Sequence, residues 1–158
     1  MRRSVKLWII IGTVVIVLIS AFWYFSIAME PYTSAKEQAN RIALKSENIK
    51  NPDYFSSFTG KKDYYTVGGT NNKNEYKYVV INAKSGKIKT LNSNEFSRNY
   101  ILKQVNKKYN PKKIYHINLG LVKNKPTWEV SYLGKNNLTN YVTFNYHTGE
   151  IIQEINNI

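Results

Sequence analysis

Residues 7–28 form an uncharged run of 22, dominated by Ile, Val, Leu and aromatic side chains. As a helix this run is about 33 Å long, enough to cross a hydrocarbon core of about 30 Å. A helix also satisfies the backbone polar groups of the span from within itself. Trp8 stands at one end and Trp23, Tyr24 and Phe25 at the other, where amphipathic rings favour the headgroup level. Arg2, Arg3 and Lys6 precede the run and Glu30 follows it. That bias predicts residues 1–6 as a cytoplasmic tail, residues 7–28 as a transmembrane helix and the remainder outside the cell. Ser26-Ile27-Ala28 would also suit a signal peptidase. The run is longer than the usual h-region of about 7–15 residues, however, so an uncleaved single-pass anchor in the cell membrane is expected. Gly12 is the lone glycine in the span, so no Gly-x-x-x-Gly dimer face is present.

The 128 residues from 31 to 158 contain no cysteine. Disulfides, thiol chemistry, a lipid-modified cysteine and Cys-ligated zinc are therefore excluded, and the length rules out a large enzyme domain. What this part shows is a duplication. Residues 78–88, YVVINAKSGKI, return 63 residues later as 141–151, YVTFNYHTGEI. The same offset carries Tyr65-Thr66-Val67 onto Trp128-Glu129-Val130, and Ala39 and Ile42 onto Leu102 and Val105, with no gap.

In the first copy, Ser34 and Glu37 have capping-box spacing. Ala35, Ala39, Ile42 and Ala43 give a one-sided helical pattern to about Asn48. A polar stretch follows with Tyr54, Phe55 and Phe58 as anchors. Residues 64–67, 76–82 and 88–91 read as strands, with 68–74 a Gly- and Asn-rich turn and 84–86 a tight one. In the second copy, Asn92 or Ser93 is the expected cap, with Glu95 in the first turn of a helix that stops before Pro111. Strands are expected at 114–121, 127–133, 141–145 and 151–155. Each copy is then a helix over a small antiparallel sheet, each covering the other's apolar face. Thr66, Thr143 and Glu129 are expected on the solvated face.

The hairpins carrying Asn82, Ser85, Gly86, Ile88 and Asn145, Thr148, Gly149, Ile151 resemble those of the PepSY-type domain. The whole layout resembles the TseB-like cell-wall elongation regulators of Gram-positive bacteria. This resemblance implies an α+β fold: an N-terminal transmembrane helix, then two tandem cystatin-like or PepSY-like units, 31–91 and 92–158. It implies an extracytoplasmic module that acts by binding, with a class B penicillin-binding protein of the elongation machinery as partner. PepSY-type domains are also linked to peptidase inhibition, which gives the alternative of a peptidase-inhibitory or peptidase-regulating module. The family brings no catalytic residues and no cofactor.

The residues themselves offer little chemistry. His116 and His147 fit no metal-ligand spacing. Ser56, Ser57, Ser85 and Ser131 lie in no nucleophile motif; Ser85-Gly86-Lys87 is a hairpin turn. Asp53 and Asp63 are separated by turns and do not read as a glycosidase pair. No Gly-rich turn precedes a helix, so no phosphate loop is expected. An enzyme is not expected, and a wall-polymer enzyme is the weakest alternative.

Residues 31–158 hold 20 Lys/Arg against 9 Asp/Glu, a formal charge of +11, with Arg41 and Arg98 the two arginines. The expected outward location and the shortage of arginine argue against nucleic acid. Attraction to anionic lipid or wall polymer is open, as is simple solubility. For protein recognition the aromatic candidates are Trp128, Tyr64, Tyr132, Tyr54 and Phe58. Trp128, the counterpart of Tyr65, is expected in the core; an exposed Trp128 would be the first hot spot.

Overall fold

The computed structural model describes residues 3–93 and 96–156. Its elements run α1 (Arg3–Glu47), β1 (Tyr54–Phe58), β2 (Tyr64–Thr70), β3 (Tyr76–Asn82), β4 (Ile88–Asn92), α2 (Arg98–Tyr109), β5 (Lys113–Val122), β6 (Lys125–Leu133), β7 (Thr139–Asn145) and β8 (Ile151–Ile155). They form two compact units, Met1–Glu37 and Gln38–Ile158.

The first unit is the greater part of α1. Its apolar side chains from Trp8 to Ile27 are exposed, and it is long and apolar enough to cross a membrane. The hydroxyls of Thr13, Ser20 and Ser26 donate to the carbonyls of Ile9, Ile16 and Phe22, each at 2.9 Å. No hydroxyl of the three is left unpaired against lipid. The helix does not stop after residue 28. It continues through Pro31 to Glu47, so Ser34 is an interior residue and not the cap expected. Extending an existing helix costs less than nucleating a second one a few residues on.

The second unit has two four-stranded antiparallel sheets, in the orders β1-β2-β3-β4 and β5-β6-β7-β8. The last turns of α1 cover one face of the first sheet: Ala39, Ala43, Ile49, Val67, Val79 and Ile81 form a buried cluster. In the same way α2 covers a face of the second sheet with Ile101 and Val105, both fully buried. Ser97 caps α2, and Asn110 ends it in the left-handed region at φ 44°. The expected caps were displaced: Asn92 ends β4, Ser93 follows it, and Glu95 lies outside the described residues.

The two helix-plus-sheet copies differ in register. From β2 and β6 onward the 63-residue offset holds: Tyr64 pairs with Asn82, and Thr127 with Asn145. In the helices the buried pairs are Ala39/Ala43 and Ile101/Val105, 62 residues apart. Ile42 and Leu102 are only half-buried. The gapless alignment of the helices therefore corrects by one residue. The hairpin turns repeat closely: Gly86 and Gly149 both have φ 66°, and each donates its N–H to the carbonyl of Asn82 or Asn145 at 2.9 Å.

Two segments read as irregular are strands. Residues 54–58 form β1, in which Ser56 and Ser57 stand between aromatic residues and hide the usual Val/Ile signal. Gly68 and Gly69 lie inside β2 because larger residues would not fit. A Cβ on Gly68 would come within 2.8 Å of Tyr78, and one on Gly69 within 2.7 Å of Ile49.

The expected solvated face of β2 is buried too. Thr66 is fully buried and donates to the carbonyl of Leu119 on β5 at 2.6 Å. Thr143 is also buried and Glu129 half-buried. The cause is that the second sheet lies against the first. Phe58, Tyr64, Tyr78, Val80 and Leu91 of the first share one core with Leu119, Trp128, Val130 and Phe144 of the second. Gly120 makes the approach possible, since its missing Cβ would stand 2.3 Å from the Phe58 ring.

Candidate functional site

Strand β5 is an edge strand. An edge presents unpaired backbone groups that need partners. Here side chains of the first sheet supply them. The Tyr54 hydroxyl accepts from Leu119 N–H at 3.0 Å and lies 3.0 Å from the Ile117 carbonyl and 2.8 Å from Ser56 Oγ, to either of which it can donate. Ser56 Oγ is a second acceptor for Leu119 N–H, at 3.3 Å. Thr66 occupies the Leu119 carbonyl.

Toward one end the two sheets diverge and leave an open cleft of about 660 Å³. Its first wall is Asp53, Tyr54, Tyr76 and Tyr78; opposite are Tyr115, His116 and Asn118 of β5; Ser97, Arg98 and Asn99 at the start of α2 close a third side. The floor is aromatic. Tyr78 packs edge-on to Tyr54 at 5.6 Å, to Tyr76 at 5.2 Å and to Trp128 at 5.6 Å. Trp128 is locked by Nε1–H donating to the Phe96 carbonyl at 3.0 Å, and Tyr146 by its hydroxyl donating to the Asn92 carbonyl at 2.7 Å.

The tyrosines stay neutral. Burial pushes Tyr78 up to about 12, helped by the charge of Asp53. Tyr76 is raised further, first by burial and then by donating its hydroxyl to Asp53 Oδ1 at 2.6 Å. Burial likewise raises Tyr54. Among the described residues lining the cleft, Asp53 and Arg98 carry the fixed charges. They offer one acceptor and one donor of full charge, with neutral hydroxyls, amides and ring faces between. This set can hold a mixed polar and aromatic surface. It lacks the two carboxylates of a glycosidase. Ser97 spends its hydroxyl on the N-terminus of α2, accepting from Tyr100 N–H at 3.5 Å. Among the described residues no group of three His, Asp or Glu could hold a metal ion.

Of the five aromatic candidates Tyr54 lines the cleft, and Trp128 lies in the core, where it was expected. Trp128 is fully buried, and Phe58, Tyr64 and Tyr132 are at most 4% exposed. They belong to the buried core that the two sheets share. Tyr54 is half-buried and lines the cleft. The accessible residues, Asp53, Arg98, Tyr115 and His116, were not identified as candidates from the sequence. His116 stands on the edge strand β5. No spacing marks them, because the cleft arises from the docking of the two sheets.

Comparison with known proteins agrees with this architecture. Residues 38–82 match the family model of the cell wall elongation regulator TseB-like domain. That segment includes the Asp53–Tyr78 wall of the cleft. The "Probable cell wall elongation regulator TseB" of Bacillus subtilis (strain 168) is 29% identical, covering 98% of this chain and 99% of its own. The solved structure of the YpmB protein from Bacillus subtilis superposes with a TM-score of 0.62 at 29% identity, over 75% of this chain and 94% of that one. An apolar N-terminal helix, two similar helix-plus-sheet units and a match along nearly the full length of a relative show this chain to be similar, in sequence and in fold, to TseB-like cell wall elongation regulators.

Proposed function

We propose that the protein is a non-catalytic, membrane-anchored regulator of cell-wall elongation, acting outside the cytoplasmic membrane by binding a penicillin-binding protein. The observation that carries this reading is the near full-length match to a relative named as an elongation regulator. Arg2, Arg3 and Lys6 before the span support an N-terminus in the cytoplasm and units 31–91 and 92–158 outside. The repeated Asn-x-x-Ser/Thr-Gly turns support a tandem PepSY-like, cystatin-like description. The cleft between the sheets is the proposed recognition surface, with Tyr54 its floor and Asp53, Arg98 and Tyr115 its contacts.

The test is capture of the full chain from cross-linked membranes. Recovery of a peptidoglycan synthase is expected. Recovery of a membrane protease in its place, with slowed cleavage at saturating protein, would favour a peptidase-regulating module and overturn the elongation reading.

A further inference from the structure

Three turns of the second unit adjoin one another and carry a cluster of lysines. The β1–β2 turn contributes Lys61 and Lys62, the β3–β4 turn Lys84 and Lys87, and the β5–β6 hairpin Lys123 and Lys125. All six are exposed, and among the described residues no ion pair engages any of them. The turns contain one acid, Asp63. They are fixed to each other rather than loosely adjacent. Ala83 N–H donates to the Asp63 carbonyl at 2.9 Å, and Lys89 Nζ donates to the Asn124 carbonyl at 3.1 Å.

Apolar groups lie among these charges. A cleft of about 670 Å³ beside Lys61 and Lys62 is floored by Phe58, Leu121 and Val122. Next to Lys87, Ile88 is 47% exposed. A soluble polyanion needs only charge, whereas cations mixed with exposed apolar groups suit the headgroup boundary of a bilayer. Glu47 pairs with Lys77 at 3.3 Å and accepts from Thr90 at 2.8 Å, and Ile49 lies against Gly69. The end of α1 is thus fixed over the opposite end of the first sheet. Ala39 and Ala43 share one buried cluster with Ile81 of β3. Gln38, where the unit begins, is ten residues beyond Ala28.

We infer that these three turns form a docking surface for anionic phospholipid headgroups, which holds the second unit down on the bilayer. This rests on the anchored reading above. The chain has no cysteine, so single-cysteine labels are clean. The full chain is reconstituted in vesicles of phosphatidylcholine, with or without phosphatidylglycerol. An environment-sensitive fluorophore is placed at T59C in the lysine end or at N72C in the β2–β3 turn, and quenching by headgroup-labelled lipid is read. Phosphatidylglycerol is expected to increase quenching at Thr59 and not at Asn72. High salt should reverse the increase. Each lysine near an anionic surface strengthens adsorption about fivefold, so K61Q/K62Q should lower the docked-to-free ratio by about tenfold or more. Equal quenching with and without phosphatidylglycerol overturns the proposal. So does complete reversal by soluble poly(glycerol phosphate) at matched ionic strength, which would point to wall polymer. Loss of the chain from both kinds of vesicle overturns the anchored reading along with it.

Discussion

Replacing Thr66 by Val tests how the two sheets are joined. Val has nearly the same shape as Thr, so the fully buried site keeps its packing. What is lost is the 2.6 Å hydrogen bond to the Leu119 carbonyl. That carbonyl points away from β6 and is covered by the first sheet, so it gains no water in exchange. A buried acceptor left without its donor costs about 1–3 kcal/mol. For a domain of this size 1 kcal/mol moves the midpoint by about 4 °C, so thermal unfolding of the variant should fall by about 4–12 °C. Thr66→Ser keeps the hydroxyl and loses one methyl, at a cost of about 1 kcal/mol. A double-mutant cycle with Tyr54→Phe, read by denaturant titration, should show coupling, because both hydroxyls serve Leu119 and Ile117 backbone groups on one edge. If Thr66→Val unfolds within about 0.5 kcal/mol of the parent, Thr66 is solvated and the docking is wrong.

Glycine substitutions give a second measurement. Gly86 and Gly149 share φ 66°, but a Cβ on Gly86 meets nothing while one on Gly149 stands 2.4 Å from the Phe96 ring. Gly86→Ala should cost about 1–2 kcal/mol of backbone strain, and Gly149→Ala about 1–3 kcal/mol more from overpacking. Equal costs in chemical denaturation would contradict the packing of Phe96. Alkaline titration checks the aromatic floor. Tyr78 has a pKa raised to about 12 by burial, so between about 10 and 12 the unfolded chain loses its proton first. Stability should fall with rising pH across that window, and Tyr78→Phe should weaken the slope. Glu129 is raised by desolvation, so its charged form opposes folding above its folded pKa. Glu129→Gln should stabilise at neutral pH and lose that advantage as the pH drops into the carboxylate range, as read by thermal melts at several pH values.

Periodicity and turn chemistry made the regular elements legible. The Asn82 and Asn145 hairpins, the strands 76–82 and 151–155, and the C-terminal end of the α1 helix near Asn48 follow from local signals. Strand β1 did not, because Ser56 and Ser57 interrupt its apolar pattern for a reason set by tertiary structure: Ser56 faces the backbone of β5. Thr66 looked like a solvated residue for the same reason. A hydroxyl that serves a distant edge has the same letter as one that serves water. The gapless helix alignment failed because Ala39 and Ile42 match Leu102 and Val105 in character while the buried stripe is one residue over. The cleft between the sheets has no counterpart in the sequence pattern. Its accessible residues, Asp53, Arg98 and Tyr115, are brought together by sheet docking that no local pattern encodes.

The most direct test of the account is site-specific photo-crosslinking in living cells. The full chain carries a photoreactive amino acid at Tyr115 in the cleft or at Thr148, an exposed turn residue that is not among those lining it. The account predicts a light-dependent adduct with a penicillin-binding protein from Tyr115, weakened by Arg98→Ala, and none from Thr148. Adducts of equal yield from both positions, or none from Tyr115 while the chain remains in the membrane, would contradict recognition through the cleft.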